Sequence, residues 1–185
     1  MSPKPAAPLT AEHALLGFLR QGPMHGYEIF QRLHDPDGPG LAWRMKQPHL
    51  YALLARLEAE GFVAGAARRA RTRPPRRPLR LTERGRRAFL AWLRTPVDQP
   101  RRMRQEFLLK LYFARREGLP ATRRLLTLQR GACRAWLRRQ QADAPPKGAR
   151  SYPHLVHAFR TGQIRAMLAW LDECERSVAA GARTA

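Results

Sequence analysis

Leu50, Leu53, Leu54 and Leu57 stand at i, i+3, i+4 and i+7, the spacing that gathers apolar side chains into one stripe of a helix. Pro48 suits a first helical turn and Gly61 a stop, so the pattern predicts a helix over Gln47 to Gly61. His49, Tyr51, Ala52, Ala55 and Arg56 fall on its other faces. Two shorter segments precede it. Ala14, Leu15, Phe18 and Leu19 predict a helix from Thr10 to about Arg20, closed by Gln21-Gly22-Pro23. Ile29, Phe30 and Leu33 predict a second helix from Tyr27 to about His34, and Asp35-Pro36-Asp37-Gly38-Pro39-Gly40 breaks it. Three short helices ending in an amphipathic one with a basic outer face are the parts of a helix-turn-helix.

After Gly61 the period changes. Phe62-Val63 opens a short strand-like run, and Leu79 and Leu81 alternate with Arg80 as in a half-buried strand. Between the two runs lie Arg68, Arg69, Arg71, Arg73, Arg76 and Arg77, with Pro74-Pro75 as the turn and no acid among them. A cluster of like charges repels itself in the free protein, whereas a phosphate backbone relieves it by releasing counterions. The run reads as a β-hairpin placed as a wing. Pro78 removes one ladder N–H and belongs on an edge. Thr82 then caps a helix carrying Phe89, Leu90 and Leu93, and Thr95 to Pro100 is the best domain boundary in the chain.

The second half is helical throughout. Met103, Phe107, Leu108 and Leu111 predict one helix ending near Gly118, and Pro120 opens another on which Leu125, Ala132, Cys133, Trp136 and Leu137 share a face. Ala144 to Gly148 breaks that helix. The last runs from about Tyr152 to about Val178, with Leu155, Phe159, Met167, Trp170, Leu171, Cys174 and Val178 as its stripe. Helices this long do not bury such stripes alone, and pairing between two copies is the simplest remedy.

Composition narrows the partner. Among 185 residues Lys and Arg total 35 against 14 Asp and Glu, a formal charge of +21 that selects a polyanion, nucleic acid before membrane. No apolar run is long enough to span a bilayer and the N-terminus lacks the apolar centre of a signal peptide, so a cytoplasmic, nucleoid-associated protein is expected. Cys133 and Cys174 are far apart in no ligand-like spacing and read as small buried hydrophobes. His154 and His157 stand at i and i+3 without a third ligand, so no metal or other cofactor is expected. A glycine-rich phosphate loop, a nucleophile elbow and paired catalytic carboxylates are all missing from the sequence, which argues against an enzyme. The rival in another class is a sequence-tolerant nucleic-acid-binding or packaging protein, which +21 would also suit. Against it stands the ordered succession of helix-turn-helix, wing and pairing segments.

Gly22-Pro23-Met24-His25-Gly26-Tyr27-Glu28-Ile29 resembles a signature of the PadR family of transcriptional regulators. Leu50 to Gly61 resembles that family's recognition helix, and Leu81-Thr82-Glu83-Arg84-Gly85 its segment after the wing. Glu106 to Leu111, and Gly162 with Ala169-Trp170-Leu171-Asp172, resemble parts of its larger C-terminal domain. The resemblance runs from about Leu9 onward. Ala52 replaces the family's usual Pro, His49 a common Ser, and Pro78-Leu79 an aromatic pair, so operator sequence does not transfer.

Residues 1–8 are Pro-rich and are expected to form a disordered tail. The resemblance implies a mainly α protein: a winged helix-turn-helix DNA-binding domain with a small β-hairpin wing over 9–95, and an all-helical dimerisation domain over 101–180. It further implies a homodimeric repressor of double-stranded operator DNA, released by a small aromatic or lipophilic effector. Leu15, Phe18 and Leu19, together with Phe159, Met167, Trp170, Leu171 and Cys174, would form the dimer interface. Gln47, Pro48, His49, Tyr51, Ala52 and Arg56 are expected at the major groove, with Arg56 a candidate for bidentate contact to guanine. Gly26 and Tyr27 are expected at a phosphate through free helix N–H groups and the Tyr hydroxyl. The six wing arginines are expected on the backbone or in the minor groove. Trp136 and Trp170 offer aromatic surface for an effector, although core packing accounts for aromatics at helical spacing equally simply.

Overall fold

The computed structural model describes residues 10–65, 78–145 and 151–181. Among them the chain is mainly helical with one small antiparallel sheet. In order come α1 (Thr10–Leu19), α2 (Gly26–Leu33), a 3-10 turn (Pro39–Leu41), α3 (Gln47–Ala59), β1 (Val63–Gly65), β2 (Leu79–Leu81) and α4 (Glu83–Arg94). A second 3-10 segment (Pro100–Arg104), α5 (Glu106–Arg116), α6 (Leu119–Ala142) and α7 (Tyr152–Gly181) follow. The expected wing arginines Arg68, Arg69, Arg71, Arg73, Arg76 and Arg77 and the expected tail over 1–8 lie outside the described residues.

The chain forms two compact units. The first holds residues up to Leu93 together with Leu108–Phe113 of α5. Its core takes Leu15, Leu16 and Phe18 from α1, Ile29 and Leu33 from α2, and Leu50, Leu53, Leu54 and Leu57 from α3. The leucine period therefore acts as its spacing requires, with all four leucines inward. Phe113 closes this core, its ring edge-on to Phe18 at 5.4 Å and to Phe89 at 5.6 Å. Gly17 makes room for it: a Cβ there would lie 2.7 Å from the Phe113 ring.

The sheet pairs Val63 with Leu81, Ala64 with Arg80 and Gly65 with Leu79. Leu79 also exchanges two backbone hydrogen bonds with Met24, at 2.8 and 3.0 Å, so the linker before α2 adds a bridge beside β2. The Thr82 hydroxyl caps α4 by accepting from the Gly85 N–H at 3.1 Å, and it lies within reach of the Gly61 and Phe62 carbonyls. Gly85 sits so close to the end of α3 that a Cβ would fall 2.1 Å from the Phe62 carbonyl oxygen. Arg84 lies over the Phe62 ring, 4.4 Å from its centre.

The second unit holds Arg94–Phe107 and Ala114–Ala185. Gly118, at φ +103, turns the chain from α5 into α6 in a conformation that favours glycine. α6 and α7 run antiparallel, joined midway along α6 by Arg130 with Asp172 and Glu175 and near its C-terminal end by Gln140 with His157. Val97, in the expected linker, is buried and clasped by the buried Gln129 side chain. Gln129 Oε1 accepts from the Val97 N–H at 2.8 Å, and its Nε2 reaches the Val97 carbonyl at 3.4 Å.

Two expectations change. The helix predicted around Met103, Phe107, Leu108 and Leu111 is broken: Met103 lies in the 3-10 segment, and Gln105, at φ −131 and ψ −63, separates it from α5. Apolar spacing does not register a break of one residue when both sides face a core. The single stripe predicted on α7 is in fact two faces. Thr161, Ile164 and Leu171 point inward, while Tyr152, Leu155 and Phe159 are 78%, 62% and 64% exposed. At about 100° per residue, Phe159 stands roughly opposite Ile164 and Leu171. Periodicity marks apolar positions without saying which of two surfaces they serve.

Candidate nucleic-acid interface

α3 presents Gln47, Pro48, His49, Tyr51, Ala52 and Ala55 to solvent, backed by its four buried leucines. Lys46 precedes it in extended backbone, and Pro48 sits in the first turn, where a missing N–H is without cost. The helix thus begins with unpaired backbone donors and a cationic neighbour, and no acid lies in its first turn.

α2 meets α3 beside this surface. His25, in extended backbone, donates its N–H to Glu28 Oε2 at 2.7 Å, which fixes the start of α2. A Cβ on Gly26 would lie 2.7 Å from Tyr51 Cε1 and 3.3 Å from Leu54 Cδ1, so only glycine lets the Tyr51 ring pack on the start of α2. His25, Gly26, Tyr27, Tyr51, Leu54, Ala55, Glu58 and Leu79 line a cleft of about 250 Å³ here. Of the residues named from sequence, Gly26, Tyr27 and Tyr51 come together at this cleft, and both tyrosines keep more than a third of their surface exposed. The carboxylate of Glu28 stands at the same helix end, so a phosphate there would share it with a negative group.

The wing root is tied to both helices. Glu58 Oε1 on α3 accepts from the Gly65 N–H of β1 at 3.1 Å, while Met24 bridges Leu79 of β2. Glu58 was not among the residues singled out from sequence, since a carboxylate on a basic surface carries no signal of what it holds. Arg56 also differs from its expected setting. Its guanidinium pairs with Glu12 of α1, and its Nε lies 3.6 Å from Glu60 Oε1. The i, i+4 spacing to Glu60 is legible in the sequence; the partner 44 positions earlier is not.

The expected dimer positions divide by exposure. Leu15, Phe18, Leu19 and Leu171 are buried within the chain's own units and leave no side-chain surface for a second copy in this arrangement. Met167, Trp170 and Cys174 are half-buried, with Trp170 edge-on to Phe107 at 5.9 Å. Phe159 is exposed. Trp136 on α6 is buried. Burial pushes the thiols of Cys133 and Cys174 above their ordinary value, which suits packing and weakens both as nucleophiles or ligands. His157 is engaged by Gln140 at 3.0 Å and lies 3.5 Å from the Thr161 hydroxyl. Among the described residues no group of three His, Cys, Asp or Glu side chains is placed to hold a metal ion, and no helix is long and apolar enough to cross a membrane.

Comparison with known proteins gives two adjoining family matches. Residues 15–91 match the transcriptional regulator PadR-like family, and residues 103–178 match the virulence activator alpha C-terminal family. A curated relative, the negative transcriptional regulator PadR of Bacillus subtilis, is 30% identical over 102 residues. That match covers 55% of this chain and 55% of the relative, so the chain spans about half the length of the curated protein it matches. Among solved structures, Bacillus subtilis PadR in complex with operator DNA aligns over 92% of this chain and 99% of its own, at 24% identity and a TM-score of 0.46. The same protein in complex with p-coumaric acid aligns over the same shares at 24% identity and a TM-score of 0.43.

Proposed function

We propose that the chain, whose residues 15–91 match the transcriptional regulator PadR-like family, is a regulator of that kind: a sequence-specific double-stranded DNA-binding repressor acting as a homodimer. The observation that carries the reading is the exposed His49, Tyr51 and Ala52 surface of α3, held rigid by its leucine stripe and rooted beside the wing. In this reading the DNA-binding domain spans 9–95 and the helical dimerisation domain 101–180. α3 enters the major groove, the start of α2 at Gly26 and Tyr27 meets a phosphate, and the wing arginines grip the backbone. The net charge of +21 supports attraction to duplex DNA from a distance. The sign of regulation follows the curated relative, a negative regulator.

The exposed Tyr152, Leu155 and Phe159 face of α7 supports pairing between two copies, with Met167, Trp170 and Cys174 completing the contact. A twofold pair reads two half-sites, which one copy alone does not. Release by a small aromatic or lipophilic effector completes the proposal; such a compound acts only through its differential affinity for the free and DNA-bound forms. The protein works in the cytoplasm at the nucleoid. The deciding experiment is footprinting of the purified protein on fragments selected from its source genome. Discrete paired half-sites are expected. Even coverage of every fragment would replace the reading with a packaging protein.

A further inference from the structure

Arg56 stands on the reading helix, yet its guanidinium turns back into the protein. It pairs with Glu12, whose side chain keeps 1% of its surface exposed, while Arg56 keeps 41%. Glu60, one turn along α3, faces the Arg56 Nε at 3.6 Å. The pair therefore runs from the surface of α3 into the contact between α3 and α1. A carboxylate is tolerated away from water where an opposite charge meets it. Two carboxylates face this one guanidinium, so Arg56 brings no net positive charge to a phosphate. Turning it to a base edge would withdraw a cation from a carboxylate that water does not reach.

The leucine stripe decides which side of α3 faces inward, but apolar contacts tolerate small slides and rotations. An ion pair with a buried carboxylate is pulled apart when the helix shifts, and it tolerates such movements far less. We propose that Glu12 and Arg56 are positioning residues for DNA recognition: the pair fixes the rotation and axial height of α3 against α1, so that His49, Tyr51 and Ala52 meet the groove in one register, and Arg56 itself does not read DNA. The inference rests on the DNA-binding reading above, and it replaces the base contact expected for Arg56 from the resemblance.

The test uses the full chain as wild type, E12Q, R56Q and the double variant. The probes are a duplex selected by the wild type from a random-sequence pool and a scrambled duplex of equal composition. E12Q and R56Q should each lower the ratio of the two affinities by roughly five- to a hundredfold, the scale of one mismatched base pair. The double variant should be little worse than either single change. The dependence of affinity on salt should keep its slope, because no phosphate contact is lost. A slope lower by about one in R56Q marks Arg56 as a phosphate contact and overturns the proposal. So does an unchanged affinity ratio in R56Q. If E12Q fails to fold, R56Q decides by the same two readouts, its side chain being partly in solvent. Thermal melting of the four proteins tests the pair without DNA: losses that simply add overturn the inference alone. A wild type that selects no preferred duplex overturns the DNA-binding reading and this inference with it.

Discussion

The two compact units solve the burial of apolar surface differently. In the first, short helices close on one another around Phe18, Phe89 and Phe113, with Gly17 leaving room for the Phe113 ring and Gly85 letting backbone approach backbone where a methyl group would collide. In the second, α6 and α7 lie side by side, held by Arg130 midway along α6 and by Gln140 near its C-terminal end, and an apolar face of α7 remains in solvent. A closed core makes a stable head that can carry exposed chemistry. An open helix pair makes a surface that is finished only by another surface.

The contrast can be broken at several points. Removing the wing charge should act most strongly. Replacing Arg73, Arg76 and Arg77 together with Ala should weaken binding to every duplex alike and lower the salt slope by about 2.7, at roughly 0.9 per contact. Filter binding across a salt series measures it, and an unchanged slope removes the wing from the mechanism. Next, L155D with F159D should convert a dimer into monomers of 21.2 kDa without unfolding them, since neither side chain supports the chain's own core. Light scattering during gel filtration reads the mass; a persistent dimer would move the pairing surface elsewhere.

A smaller effect should come from the polar fastening of α6 to α7. Arg130 is largely covered, lies 3.0 Å from Asp172 and also pairs with Glu175; the hydrogen bond it donates to Glu175 is the main reason its affinity for a proton rises. R130A should lower stability in urea by about 2 kcal/mol, the scale of a hydrogen bond to a charged group, and leave the first unit's circular dichroism intact. The smallest effect concerns acid. The hydrogen bond from Arg86 holds the exposed Glu83 carboxyl below the usual range. Its stabilisation is present above the unfolded-state value and is lost as pH falls through the lowered folded value. Melting temperature in E83Q should therefore track the wild type more closely in strong acid than at neutral pH, and by little at either, because the pair is solvent-screened.

The sequence was most informative where one physical demand acts alone. Four leucines on a helical period had only one inward side to choose, and Thr82 followed by a charged helix could only be a cap. It was least informative where the partner is distant in the chain. Nothing near Arg56 announces Glu12, and nothing near Gln129 announces the Val97 backbone that it clasps. Such polar ties are single residue pairs without a period. The α7 stripe misled for a different reason: Leu155 and Leu171 look alike as letters, yet one faces solvent and the other a core. The reading surface lies between these cases. Tyr51 and Gly26 were both named, but the need for a missing methyl between them is visible only in three dimensions.

Gly85 closes the Leu81–Gly85 segment that resembles the family, and its neighbour is a peptide oxygen rather than a ligand. A main-chain atom at that range does not step aside as a side chain would. The letter is thus dictated by clearance at a joint. Two proteins agreeing there share a path of the chain, and their agreement is silent about which duplex either one prefers.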